Sequence, residues 1–257
     1  MEFPRKEPFL LEPVLLSWIA GYIDTVGFIG LSGLFTSSII QSLIVASAPL
    51  ATTLWLAVSA VVCFMLAMAV VTYSFTRQNQ HSIFYKARWY MAETVLLFLF
   101  MICGHTLKAE PDSNNFWLLL TSLLGVTAMG IHCAISRLML RHRIGTATAT
   151  GNLIQLTIRL TEFFATTEPY CGQSRREEQA LLWSLFWSVV SFILGITVAA
   201  YGFAQDRFLC LILPCALMLF LSYKEYTFAH INRHRSDTDV AQRDLPYWDT
   251  APRHKVI

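Results

Sequence analysis

The sequence predicts an all-α integral membrane protein: six transmembrane helices, arranged as a 3+3 inverted repeat with interrupted helical segments. Three observations point there. The residues AVILMFWYC fill 55% of the 257 positions and charged residues only 14%, against roughly a quarter charged in an average soluble domain. The apolar residues gather into blocks near the ~20 residues that carry a helix across ~30 Å of hydrocarbon. Basic residues outside the blocks fall almost wholly on one side of the alternation.

Taken in order, residues 1–13 (MEFPRKEPFLLEP) form a polar, Pro-bearing segment expected on the cytoplasmic side. The next block shows no small-residue cleavage site behind it, so it reads as a retained span rather than a signal peptide. The expected spans are Val14 to Leu34, Leu50 to Tyr73, Trp89 to Leu107, Phe116 to Ile135, Leu181 to Ala204 and Phe208 to Tyr223. The last has only 16 residues. Arg207 and Lys224 can snorkel at its ends, Tyr223 and Tyr226 suit the interface, and Pro214 is expected to kink it. Residues 14–223 make one domain with halves at about 14–107 and 116–223, and residues 227–257 read as a disordered cytoplasmic tail.

Across six spans, 17 Lys and Arg fall on one side and two, Lys108 and Arg207, on the other. A span missed or added would mix these pools, so the split supports the span count and puts both termini in the cytoplasm. The net charge of +2 is too small to suggest a nucleic-acid partner. Five of the six cysteines, Cys63, Cys103, Cys133, Cys210 and Cys215, lie within apolar blocks, and Cys171 sits in a polar loop. Without CxxC pairs or a secreted-style framework, free thiols are expected.

Two segments are neither span nor ordinary loop. Phe35 to Pro49 carries no charge, and Gly145 to Ala165 begins small and hydroxyl-rich before turning amphipathic. Each follows a span with a Gly near a polar residue: Gly21 with Asp24, Gly130 with His132. Gly21 aligns with Gly130 at an offset of 109, and Thr36 with Thr146 and Leu43 with Leu153 at 110. A repeat of three spans must invert its second copy, the architecture of many secondary transporters.

Asp24 stands near the middle of the first span, where insertion of a carboxyl costs about 2.5 to 3.5 kcal/mol. It should face the bundle interior, as a site residue or as interhelical glue. Gly27, Gly30 and Gly33 after it form a small-residue stripe suited to close helix packing, or to unwinding around a substrate. His132 suits a proton relay with Asp24, or a hydrogen-bonded interfacial role. Glu93, one turn inside Arg88, is expected to pair or snorkel there. His105 reads as interfacial. The run from Thr146 to Asn152, with Thr150, Gly151 and Asn152 at its end, either lines a polar cavity or forms a loop and helix cap. Thr36, Ser37, Ser38, Gln41 and Ser42 hold the matching place in the first half.

The stretches GYIDTVGFIGLSGLFT (Gly21 to Thr36), AMGIHCAISR (Ala128 to Arg137) and TATATGNL (Thr146 to Leu153) resemble motifs of the YoaK-like family of uncharacterised multi-pass membrane proteins. The resemblance covers nearly all of Leu16 to Tyr223. It implies a six- or seven-helix membrane fold and no established activity. Ile40-Gln41-Ser42 replaces the family's Thr-Gly-Asn, and His132-Cys133 its Gln-Asn. The better match therefore falls on Thr150, Gly151 and Asn152.

No GxSxG, HExxH or P-loop is present, so no enzyme, cofactor or metal is expected. The leading expectation is a transporter or export accessory for a small solute or ion, with Asp24, Thr36, Gln41, His132, Thr150, Gly151 and Asn152 along the path. The rival is a non-transporting membrane scaffold that binds lipid or a partner protein. Expected partners are the lipid bilayer, a small solute or ion, and further copies of the chain.

Overall fold

The computed structural model describes residues 11–31, 33–47, 54–77, 84–107, 116–139, 149–165 and 175–243. Among them there is no strand. The helices are α1 (Leu11–Gly30), α2 (Ile39–Ala46), α3 (Leu54–Arg77), α4 (Tyr85–His105), α5 (Phe116–Met139), α6 (Ala149–Ala165), α7 (Arg175–Asp206) and α8 (Ile212–Arg243). Among the described residues, five apolar stretches are long enough to cross a membrane: α1, α3, α4, α5 and a continuous run from Gln179 to Ile231. The chain is thus a multi-pass membrane protein by length and composition.

The fifth stretch contains two helices. Its 53 residues would extend about 80 Å as one helix, far more than a ~30 Å hydrocarbon core. A 3-10 turn over Arg207–Leu211 interrupts it, and Arg207 adopts a left-handed φ of 51° there. The Arg207 guanidinium donates to the Leu107 carbonyl at 3.3 Å, tying this turn to the end of α4. The break thus precedes Pro214. This proline lies in the first turn of α8, where its missing N–H forfeits no helical bond. The same helix continues through Arg243, past residue 227 where the tail is expected to begin.

Contacts along the helices fix their relative directions. α1 and α7 run parallel, with Ser191 bonded to the Val14 carbonyl at 2.8 Å, Gly195 against Trp18, and Phe203 against Gly30. α3 and α5 also run parallel, through Cys63 with Thr127 and Phe64 and Ala67 with Gly130. α4 is antiparallel to α5 through Glu93 with His132 and Phe100 with Gly125. It is antiparallel to α8 through Lys86 with Glu225, Ala87 with Ser222, and Gly104 with Phe208. Of their most apolar windows, 72% is buried in α5 but 28% in α3, which makes α5 central and α3 peripheral.

The glycine stripe of the first span is divided among three tasks. Gly27 receives the returning loop at Leu34 and Thr36, Gly30 receives Phe203 and Phe208, and Gly33 makes the turn after α1. Gly33 has φ 88° and donates to the Phe28 carbonyl at 3.0 Å, a left-handed helix closure that glycine adopts without a Cβ penalty. Cys63, Cys103, Cys133, Cys210 and Cys215 are free thiols, and Cys171 lies outside the described residues.

Candidate functional site

Asp24 lies on α1 where the chain, after turning at Gly33, comes back alongside the helix. Its Oδ1 accepts the backbone N–H of Thr36 at 2.8 Å, the N–H of Ser37 at 2.7 Å and the Thr36 hydroxyl at 3.1 Å. Its Oδ2 accepts the Ser37 hydroxyl at 2.6 Å. Three of these four donors converge on Oδ1 and one reaches Oδ2, so the loop's own groups engage both carboxyl oxygens. Ser42 closes the same loop, accepting from the Phe35 N–H at 2.8 Å and donating to its carbonyl at 3.1 Å. Asp24 and Thr36 are thus one unit that holds the entry to α2, because uncoiled backbone at membrane depth must find its hydrogen bonds within the protein.

His132 bonds Glu93, not Asp24. His132 Nδ1 and Glu93 Oε1 are 2.7 Å apart, and both side chains have no solvent exposure. Glu93 therefore pairs inside the α4/α5 contact rather than snorkelling beside Arg88. Glu93 Oε2 and His132 Nε2 are buried without hydrogen-bond partners. Tyr90, Cys133 and Cys215 lie within electrostatic reach of Glu93, and Cys133 also senses Asp24 and Arg137.

The polar pair sits between two seals. Towards the start of α4, Lys86 contacts both Glu12 and Glu225, the latter at 3.2 Å, and the Tyr90 hydroxyl donates to Glu12 at 2.7 Å. These bonds clasp α1, α4 and α8 together. Towards the other end, the fully buried Phe208 fills the space left by Gly30 and Gly104 and packs edge-on against Phe100 and Phe203. Glu93 lies about 10 Å along α4 from Lys86 and about 16 Å from Gly104, at 1.5 Å per residue.

The remaining sequence-derived residues are dispersed. Gln41 on α2 and Thr150 on α6 are exposed, Gly151 is half-buried, and Asn152 is buried. Asn152 falls 110 positions after Ser42, and each is only 2% exposed, so both short helices bury a polar residue at the matching turn. Residues 140–148, which include Thr146, lie outside the described residues.

Residues 13–223 match a family model described as "Protein of unknown function (DUF1275)". The chain belongs to this family. No curated protein and no solved structure matches it. The DUF1275 match spans the Asp24 loop and the Glu93–His132 pair, and ends within α8. Both carboxylates on Lys86, Glu12 and Glu225, fall just beyond its limits.

Proposed function

We propose that the chain is a six-span transporter or export accessory for a small solute or ion, with both termini cytoplasmic and its two halves related by an inverted repeat. The observation carrying this reading is a reciprocal exchange of packing between the halves. Each half runs long, short, long, long: α1 to α4, then α5 to α8. The first helix of each half packs parallel to the third position of the other, α1 on α7 and α5 on α3. Even the detail repeats: Gly21 meets the Phe192 carbonyl and Gly130 meets the Phe64 carbonyl. Inverted repeats whose halves meet around a central polar site are the usual frame for alternating access.

A buried acid and imidazole at the α4/α5 junction, sealed at both ends, fit an occluded pathway. The basic residues support the orientation, since Arg77, Lys86, Arg88 and Arg137 lie near the helix ends on the Lys86 side. Likeness to the YoaK-like proteins belongs to this reading as a closer placement within the family.

The test is flux into proteoliposomes holding the purified full chain, with a panel of monovalent cations, amino acids and organic acids. Transport predicts saturable uptake of at least one class above empty vesicles. Uptake at the empty-vesicle level across the panel refutes it and favours the scaffold reading. Reporter tags on the two ends test the topology and should be accessible from the same face.

A further inference from the structure

We propose that Glu93 and His132 together form a binding site for one exchangeable proton at the junction of the two halves. The coupling role of that proton rests on the transport reading; the site itself does not.

The geometry gives three reasons. The pair bridges the halves, with Glu93 on α4 of the first and His132 on α5 of the second. Motion of one half against the other therefore acts directly on the bond between Oε1 and Nδ1. Second, the site is fully buried, and charge balance there selects one occupancy. With no proton the pair is a lone carboxylate, and with two it is an imidazolium beside a neutral acid. Either leaves net charge in a low-dielectric interior, where an unpaired charge is costly. With one proton the pair is neutral, whether as ion pair or as acid and imidazole. Third, Glu93 Oε2 and His132 Nε2 carry no partner at all. Buried polar atoms are nearly always bonded, and these two are the points where a proton can enter or leave the pair.

Loading is a simple transfer. An O–H bond of hydronium breaks, an N–H bond at His132 or an O–H bond at Glu93 forms, and water departs; release is the reverse, with no change in oxidation state. A metal ion is a poorer fit, because such sites commonly need at least three protein donors. The described residues bring no His, Cys, Asp or Glu group of three together for that purpose. Ionisable groups within electrostatic reach of Glu93 include Tyr90 on α4, Cys133 on α5 and Cys215 on α8, with Asp24 on α1 and Arg137 reaching Cys133. Asp24 is engaged by four donors from its own loop. α3 adds no carboxylate or imidazole along its contact with α5, where Cys63 is bonded to Thr127.

The test is infrared difference spectroscopy on the full chain in nanodiscs at neutral pH, exchanging normal water for heavy water. The probe is the proton alone. The expected result is a carboxyl or imidazole signal that shifts on exchange and that both Glu93→Gln and His132→Gln remove. Either variant keeps a hydrogen-bonding side chain in place, and selective histidine labelling reads the wild-type imidazole even if one variant fails to fold. A wild type without such a signal, or a signal that survives in both variants, overturns the site. A positive signal in protein that moves no solute keeps the proton site and sinks the transport reading instead.

Discussion

Removing the Asp24 carboxyl strands donors that have no water to turn to. Two are backbone N–H groups, Thr36 and Ser37, which cannot rotate away, and each orphaned buried donor costs about 1 to 3 kcal/mol. Asp24→Ala should therefore lower stability by about 2 to 4 kcal/mol, and Asp24→Asn, which keeps one acceptor oxygen, by about half as much. Thermal unfolding in detergent checks this, and equal losses for Ala and Asn would show that the loop does not depend on that acceptor. Collapse of an Asp24 variant does not separate a transporter from a scaffold, because loop anchoring predicts it in both. The sequence made the burial of Asp24 legible, since a mid-span carboxyl must turn inward. It did not reveal the partners, because Thr36 and Ser37 reach Asp24 only after Gly33 reverses the chain. The Glu93–His132 pair left a fainter trace. Each lies five residues inside an arginine, Arg88 and Arg137, on the face that basic residues mark as shared, so the two match in depth. Depth says nothing of rotation about the helix axis, and only the α4/α5 contact supplies that.

At the scale of the helices, the proposed repeat rests on backbone approach more than on side-chain identity. Asp24 and Cys133 occupy corresponding places 109 positions apart yet differ in chemistry, whereas Gly21 and Gly130 keep the same task. At each glycine a carbonyl oxygen of the opposing helix comes close to where a Cβ would stand, at 3.1 Å in the case of Gly130 and closer still for Gly21. A backbone carbonyl cannot be shaved by a compensating mutation. Gly21→Leu and Gly130→Leu should each destabilise by about 1 to 3 kcal/mol through overpacking, Gly21 the more severely. Trimming Phe192 or Phe64 to Ala should not rescue them. Melting temperatures of the single and paired variants check the claim, and rescue by the Phe trim would place the clash on the side chain instead. Helix existence was readable from apolar length, but ends were not. α8 runs to Arg243 because a helix, once started, continues through polar residues in water, where hydropathy carries no signal. The Arg207–Leu211 break carries no glycine, and it falls where the apolar blocks part between Ala204 and Phe208.

For the whole molecule, the exchange of packing means that neither half can bury its own first helix. α1 lays its Gly21 face on α7, and α5 lays its Gly130 face on α3, so each of these interfaces crosses between halves. Helix association in lipid rests on such close packing, since lipid tails compete with any apolar face. A chain cut between Lys108 and Asn115 should therefore yield two fragments that are unstable alone and stable together. Co-expressed fragments are expected to co-purify as one complex with the mobility of the intact chain, while either fragment alone should be degraded or aggregate. Gly21→Leu or Gly130→Leu in one fragment should weaken recovery of the other, since each glycine acts across the cut. If a half purifies alone as a monodisperse, fully helical species, the two halves are independent bundles, and the reciprocal packing on which the transport reading stands is not what holds the protein together.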